Sequence, residues 1–135
     1  MSDDRCYEVV IEVPRGSFIK RTPSGGIDFI APFPSPFNYG SVPNTLSPDG
    51  DPLDAVLLGP RLDYGQRTSA TQIAEVDFID AGEPDPKIIL GQRPMSRRDR
   101  LRVLGFFRFY AVAKSLLNRA RGKSGSTQFR GFRDV

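Results

Sequence analysis

Three carboxylates crowd into six consecutive residues, Asp49-Gly50-Asp51-Pro52-Leu53-Asp54. Asp49 and Asp51 are separated by one residue, so they project to the same side of an extended chain. Pro52 restricts Asp51 to β or polyproline geometry and keeps the pair aligned. Carboxylates this close repel and hold protons more tightly unless positive charge lies between them. A divalent cation supplies that charge. A second acidic stretch, Asp80-Ala81-Gly82-Glu83-Pro84-Asp85-Pro86-Lys87, falls between an apolar strand and a short one. There Asp80 and Asp85 could close over the same ions, and Lys87 could hold an anion. With no histidine and only Cys6, nitrogen and sulfur ligands are nearly absent, which leaves oxygen ligands and hard cations such as magnesium, manganese or calcium. An EF-hand is excluded, because Leu53 occupies its third ligand position and Pro60 its final glutamate position. Taken alone, each stretch also reads as an ordinary turn, since Asp, Gly and Pro are turn residues.

The elements that must position these groups are mostly strands. Cys6 to Val13 is rich in β-branched residues, and Phe18 to Arg21, Ile27 to Ile30, Leu53 to Leu58, Thr68 to Ile79 and Lys87 to Leu90 also read as strands. Five prolines between Ala31 and Pro48 predict a long loop. Ser96, with Asp99 three residues on, opens a helix that runs to about Arg119 and stops at Gly122 to Ser126. Its apolar positions, Leu101, Leu104, Phe107, Val112, Leu116 and Leu117, exceed one narrow stripe and predict packing on more than one surface.

At 135 residues the chain has the size of one domain. No apolar run is long enough to span a membrane, and the acidic start lacks the apolar region of a secretory signal. A reducing, cytoplasmic setting is expected, with Cys6 a buried strand residue. The net charge of +3 conceals an asymmetry: residues 1 to 90 hold 7 basic and 14 acidic side chains, whereas residues 91 to 135 hold 12 and 2. That division points to a cationic partner for the first part and an anionic one for the second.

In order along the chain, these residues resemble the soluble, magnesium-dependent family I inorganic pyrophosphatases. Asp49 to Asp54 matches that family's signature. Ile11-Glu12-Val13-Pro14-Arg15-Gly16-Ser17 resembles its opening strand, with Lys20 at the expected distance. Asn38-Tyr39-Gly40 and Asn44-Thr45-Leu46-Ser47 stand at family-like spacing. Asp80, Asp85 and Lys87 are similar to its second metal loop, and Phe106-Phe107-Arg108-Phe109-Tyr110 resembles the aromatic end of its C-terminal helix. The resemblance covers most of residues 7 to 114, and Phe129 to Phe132 faintly echo a last strand.

The resemblance implies a mainly β (α+β) fold: a small closed OB-like antiparallel β-barrel flanked by helices, one of them long and C-terminal. A single domain over residues 1–135 is expected, its last ~15 residues a flexible basic tail. The implied activity is hydrolysis of pyrophosphate to two phosphates by a metal-activated water. It needs several Mg2+ ions, for which Mn2+ can substitute. Asp51 would be the general base, with Tyr39 beside it in the catalytic set. Glu12, Asp49, Asp54, Asp80 and Asp85 would serve the metals, and Lys20, Lys87 and Tyr110 the phosphates. A homo-oligomer is implied, a hexamer as in most bacterial members.

Departures fall on the substrate side. Thr22 replaces a usual glutamate, Ala31 lies near an expected arginine, Ser35 near a tyrosine, and Ala111 follows Tyr110 in place of a lysine. Each lost charged contact removes about 1.5 to 3 kcal/mol, so reduced activity is expected unless Arg21, Arg108, Lys114 or a neighbouring subunit supplies the cations. The alternative is a catalytically weak or silent relative that binds metal or phosphate. A nucleic-acid-binding module is a further rival, suggested by arginines among Phe106, Phe107, Phe109 and Tyr110. Aromatics at helical spacing argue for core instead.

Overall fold

The computed structural model describes residues 5–21, 26–30, 34–46 and 50–135, with 19–21 and 27–30 described by their backbone. Strand β1 (Cys6–Val13) ends at Pro14, and a turn leads to an antiparallel pair, β2 (Ile19–Arg21) and β3 (Ile27–Ile30). There follow β4 (Asn38–Val42), β5 (Leu53–Leu57), β6 (Arg67–Asp80), β7 (Glu83–Pro84) and β8 (Lys87–Gly91). Helix α1 (Arg97–Ala120) and β9 (Gln128–Asp134) complete the chain.

Neighbouring strands run β1–β4–β5–β8–β6, and the first part of β6 pairs back with β1 from Cys6↔Thr71 to Val10↔Arg67. Five strands therefore form a ring, an OB-like closed sheet that leaves these strands few open edges. The ring is mostly antiparallel, as expected; the one parallel pair among its strands is β5 with β8. Two parallel strands need a long crossover, which here is β6 and β7. Register shifts in β6 after Gln72 and Val76 mark where this long strand bends.

Alternation along the strands produces two apolar clusters. Val9, Ile11, Ala55, Leu57, Ile88 and Leu90 gather on one face. Val56, Val76, Phe78 and Ile89 point the other way and meet Val103, Phe107 and Ala111 of α1. The helix opens on the anticipated capping box: Asp99 N–H donates to Ser96 Oγ at 3.1 Å, and Ser96 N–H donates to the Asp99 carboxylate at 3.1 Å.

Several expectations are corrected. The proline-rich loop contains β4, because its five prolines flank residues 38–42 without entering them. Gly40 is required there: a Cβ would lie 2.0 Å from the Val10 carbonyl oxygen of β1. One α-helix, not several, is present among the described residues. Leu101, Val112 and Leu116 are exposed, so α1 packs within the chain by one face only. Cys6 is exposed, because it lies at the outer end of β1. Where a basic tail was expected, β9 pairs with β6 and is joined to it by Arg133–Glu75 at 2.8 Å and to α1 by Arg100–Asp134 at 2.6 Å.

Candidate functional site

Register brings the first and second acidic stretches together. In the parallel pair Asp54 lies opposite Lys87, and on the other side of β5 it lies opposite Ser41 of β4. Lys87 Nζ donates to Asp54 Oδ2 and to Asp85 Oδ2, both at 2.7 Å. Its side chain is 1% exposed, and Nζ lies 5.5 Å from the Phe78 ring centre and 5.8 Å from that of Tyr110. Burying an ammonium is costly, and two carboxylates with two aromatic faces offset that cost. Burial pulls the Lys87 pKa down, but Tyr110, Asp54 and Asp85 outweigh it and hold the amine above the ordinary lysine range. Burial and the Asp54 charge likewise raise the neighbouring Tyr39 hydroxyl well above its usual value.

Other groups extend this band. Buried Glu12 accepts a hydrogen bond from Ser41 Oγ at 3.0 Å, beside the Ser41–Asp54 register pair. Thr45 anchors the first acidic loop, donating to the Val42 carbonyl at 2.6 Å and accepting from Leu53 N–H at 3.0 Å. Asp51 is exposed on that loop. Asn38, fully buried, takes the Arg15 and Leu62 N–H groups on Oδ1 and donates to the Pro60 carbonyl at 2.8 Å. It therefore holds the loops around β4.

Asp80 is turned toward the helix. It accepts from Asn118 Nδ2 at 2.6 Å, and Lys114 Nζ stands 3.8 Å away. Tyr110 packs against Phe78 at 5.3 Å and stacks on Phe106 at 5.9 Å between ring centres. Phe107 is thus core, and Phe106 and Tyr110 are partly buried against it, in line with their helical spacing.

Asp49, Thr22 and Ala31 lie outside the described residues, as does the side chain of Lys20, whose backbone is on β2. Ser35 is buried and donates to the Phe37 carbonyl at 2.6 Å. Ala111 belongs to the core, and Arg108 lines an outer groove of about 480 Å³ with Val112, Leu116 and Phe129. Among the described residues no three acidic, cysteine or histidine side chains form a ready ligand set. The sequence reading missed Asn118 and Thr127, since single polar residues at a helix end and in a turn carry no distinctive spacing.

The site thus joins a five-stranded OB-like ring to a buried cluster of one ammonium and two carboxylates. Residues 9–104 match the family described as inorganic pyrophosphatase. The inorganic pyrophosphatase of Haemophilus influenzae is 38% identical over 95 residues, covering 64% of this chain and 54% of that protein. That of Synechocystis is 35% identical over 89 residues, covering 60% and 53%. The chain spans about half the length of these relatives. Among solved structures, the Thermus thermophilus inorganic pyrophosphatase superposes with a TM-score of 0.72 at 28% identity, covering 99% of this chain and 85% of that one. The Helicobacter pylori enzyme gives 0.78 at 24% identity, covering 98% and 87%, a likeness of fold. This chain belongs to the inorganic pyrophosphatase family. Among its described residues no helix is long and apolar enough to cross a membrane.

Proposed function

We propose that the chain hydrolyses inorganic pyrophosphate to two phosphates with divalent cations, Mg2+ first and Mn2+ as substitute. The observation that carries this reading is the convergence of Asp54 and Asp85 on one buried ammonium. The candidate ligands are all oxygens, which suits Mg2+, an ion commonly held by one or two carboxylates with substrate phosphates completing its shell. Asp49, Asp54 and Asp85 would hold the activating ions, Asp80 a further ion on the substrate, and Glu12 would act through water. When bound, the cation neutralises phosphate charge and makes water a better nucleophile.

The chain's own residues supply the rest. Asp51, exposed on its loop, accepts the proton of the attacking water as general base. Lys87 keeps the two carboxylates from repelling one another, and the three groups together retain a net negative charge that favours a cation. Tyr39 remains protonated in its buried setting and stays a hydrogen-bond donor. Lys20 and Tyr110 contact phosphate in this reading. A homo-oligomer in the cytoplasm belongs to it too, supported by the exposed Leu101, Val112 and Leu116 on α1.

Phosphate release from pyrophosphate with Mg2+ is the test. Wild type should release phosphate, chelation by EDTA should stop it, and Asp51→Asn should slow it by about 10²- to 10⁴-fold. Equal release from wild type and Asp51→Asn refutes the assignment.

A further inference from the structure

Between β6 and β7 the chain turns through Ala81 at φ 51° and Gly82 at φ 84°. Two successive left-handed residues suit a tight two-residue hairpin. Glycine adopts that conformation freely, whereas alanine is strained in it. Something outside the turn must hold Ala81, and the segment after α1 does so. Ala81 N–H donates to Thr127 Oγ1 at 3.0 Å, and Gly82 N–H donates to the Ser126 carbonyl at 2.7 Å. Asn118, 3% exposed, donates from Nδ2 to Asp80 Oδ1 at 2.6 Å and to Thr127 Oγ1 at 2.9 Å. The two turns approach so closely that a Cβ on Gly125 would lie 2.5 Å from the Ala81 carbonyl oxygen. At the base of the same hairpin, Asp85 N–H donates to the Phe78 carbonyl at 2.8 Å, just before the chain delivers Asp85 to Lys87. Asn118, Gly125, Ser126 and Thr127 all lie beyond residue 104, where the family match ends.

We infer that Asn118 is a positioning residue: with Thr127 it clamps Asp80 and the Ala81–Gly82 turn against the end of α1, and so sets the second acidic stretch for cation binding. A carboxamide suits the task. Its two N–H hydrogens serve Asp80 and Thr127 together, and it brings no charge that would compete with a cation. The inference rests on the reading above, in which these carboxylates serve divalent ions.

The test is Mn2+ binding by calorimetry without pyrophosphate, paired with amide hydrogen exchange, on wild type, Asn118→Leu, Thr127→Val and Thr127→Ser. Asn118→Leu and Thr127→Val should weaken Mn2+ binding by about 10- to 100-fold, the usual effect of losing an outer partner of a metal ligand. Thr127→Ser keeps the hydroxyl and should stay near wild type. Exchange at the Ala81 and Gly82 amides should quicken in Thr127→Val and not in Thr127→Ser. If Asn118→Leu does not fold, the two Thr127 variants carry the test. Unchanged Mn2+ affinity in Thr127→Val overturns the inference, whether or not exchange quickens. A wild-type chain that takes up no Mn2+ overturns the functional reading itself, while the exchange data still decide whether the clamp exists.

Discussion

Two lysine–carboxylate groupings involve the second acidic stretch, and they are built differently. Lys87 is carried by a strand, lies opposite Asp54 in a parallel pair, and holds two carboxylates at 2.7 Å with almost no exposure. Lys114 is carried by the helix, faces Asp80 at the end of β6 at 3.8 Å, and is a quarter exposed. In the first, sheet register dictates the contact, so the charges cannot separate without moving strands. In the second, a strand end and flexible side chains set the distance, and Asn118 provides the shorter bond. The barrel supplies a rigid acid–amine centre, and the C-terminal segment adjusts the acidic loop beside it.

The sharpest way to break this contrast is Lys87→Met. Removing the buried cation leaves Asp54 and Asp85 facing each other and should cost about 3–5 kcal/mol in urea unfolding. A loss below 1 kcal/mol would mean that the centre is not buried as described. Gly40→Ala attacks the strand scaffold alone. Its methyl group would strike the Val10 carbonyl, and a loss of about 1–3 kcal/mol is expected, with the helix circular dichroism retained at moderate temperature.

Alkaline pH sharpens the comparison by a smaller effect. The folded chain keeps the Lys87 proton to higher pH than the unfolded chain, whose lysine titrates near 10.5. Tyr39 has the same sign against an ordinary value of 10.0. Above about pH 10 the native state therefore binds more protons than the unfolded one, and stability falls as pH rises. Urea midpoints between pH 8 and pH 11 should show that fall, and the fall should be shallower in Lys87→Met. The smallest effect belongs to Lys114→Met, about 0–1 kcal/mol, because its pair is long and partly screened by water. A cost equal to that of Lys87→Met would erase the distinction between the two groupings.

Much of this architecture was legible in residue order. β1 and the Ser96–Asp99 cap announce themselves through β-branched residues and a reciprocal hydrogen-bonding pair, and β5, β6 and β8 stand within a residue or two of their anticipated limits. The meeting of Asp54 with Asp85 was foreseeable from the charge problem each stretch poses. β4 was hidden because Asn38, Gly40 and Ser41 are poor strand formers, selected here for close approach and loop bonding. The fate of Lys87 was hidden too. A lysine beside carboxylates reads as an anion site, and only parallel pairing reveals that it lies buried between two acids. Nor does any local pattern tell Asn118 that it will meet a turn 38 residues earlier.

The parallel pairing of β5 with β8 also orders events in time. Lys87 and Asp54 stand 33 residues apart in sequence, so a growing chain holds Asp54 without its ammonium partner while β6 and β7 are still being synthesised. Distant contacts of this kind close late, after local structure has formed. The salt-bridged centre therefore needs β8 in place, and a chain halted before residue 87 carries neither the amine nor the pairings of β8 with β5 and β6.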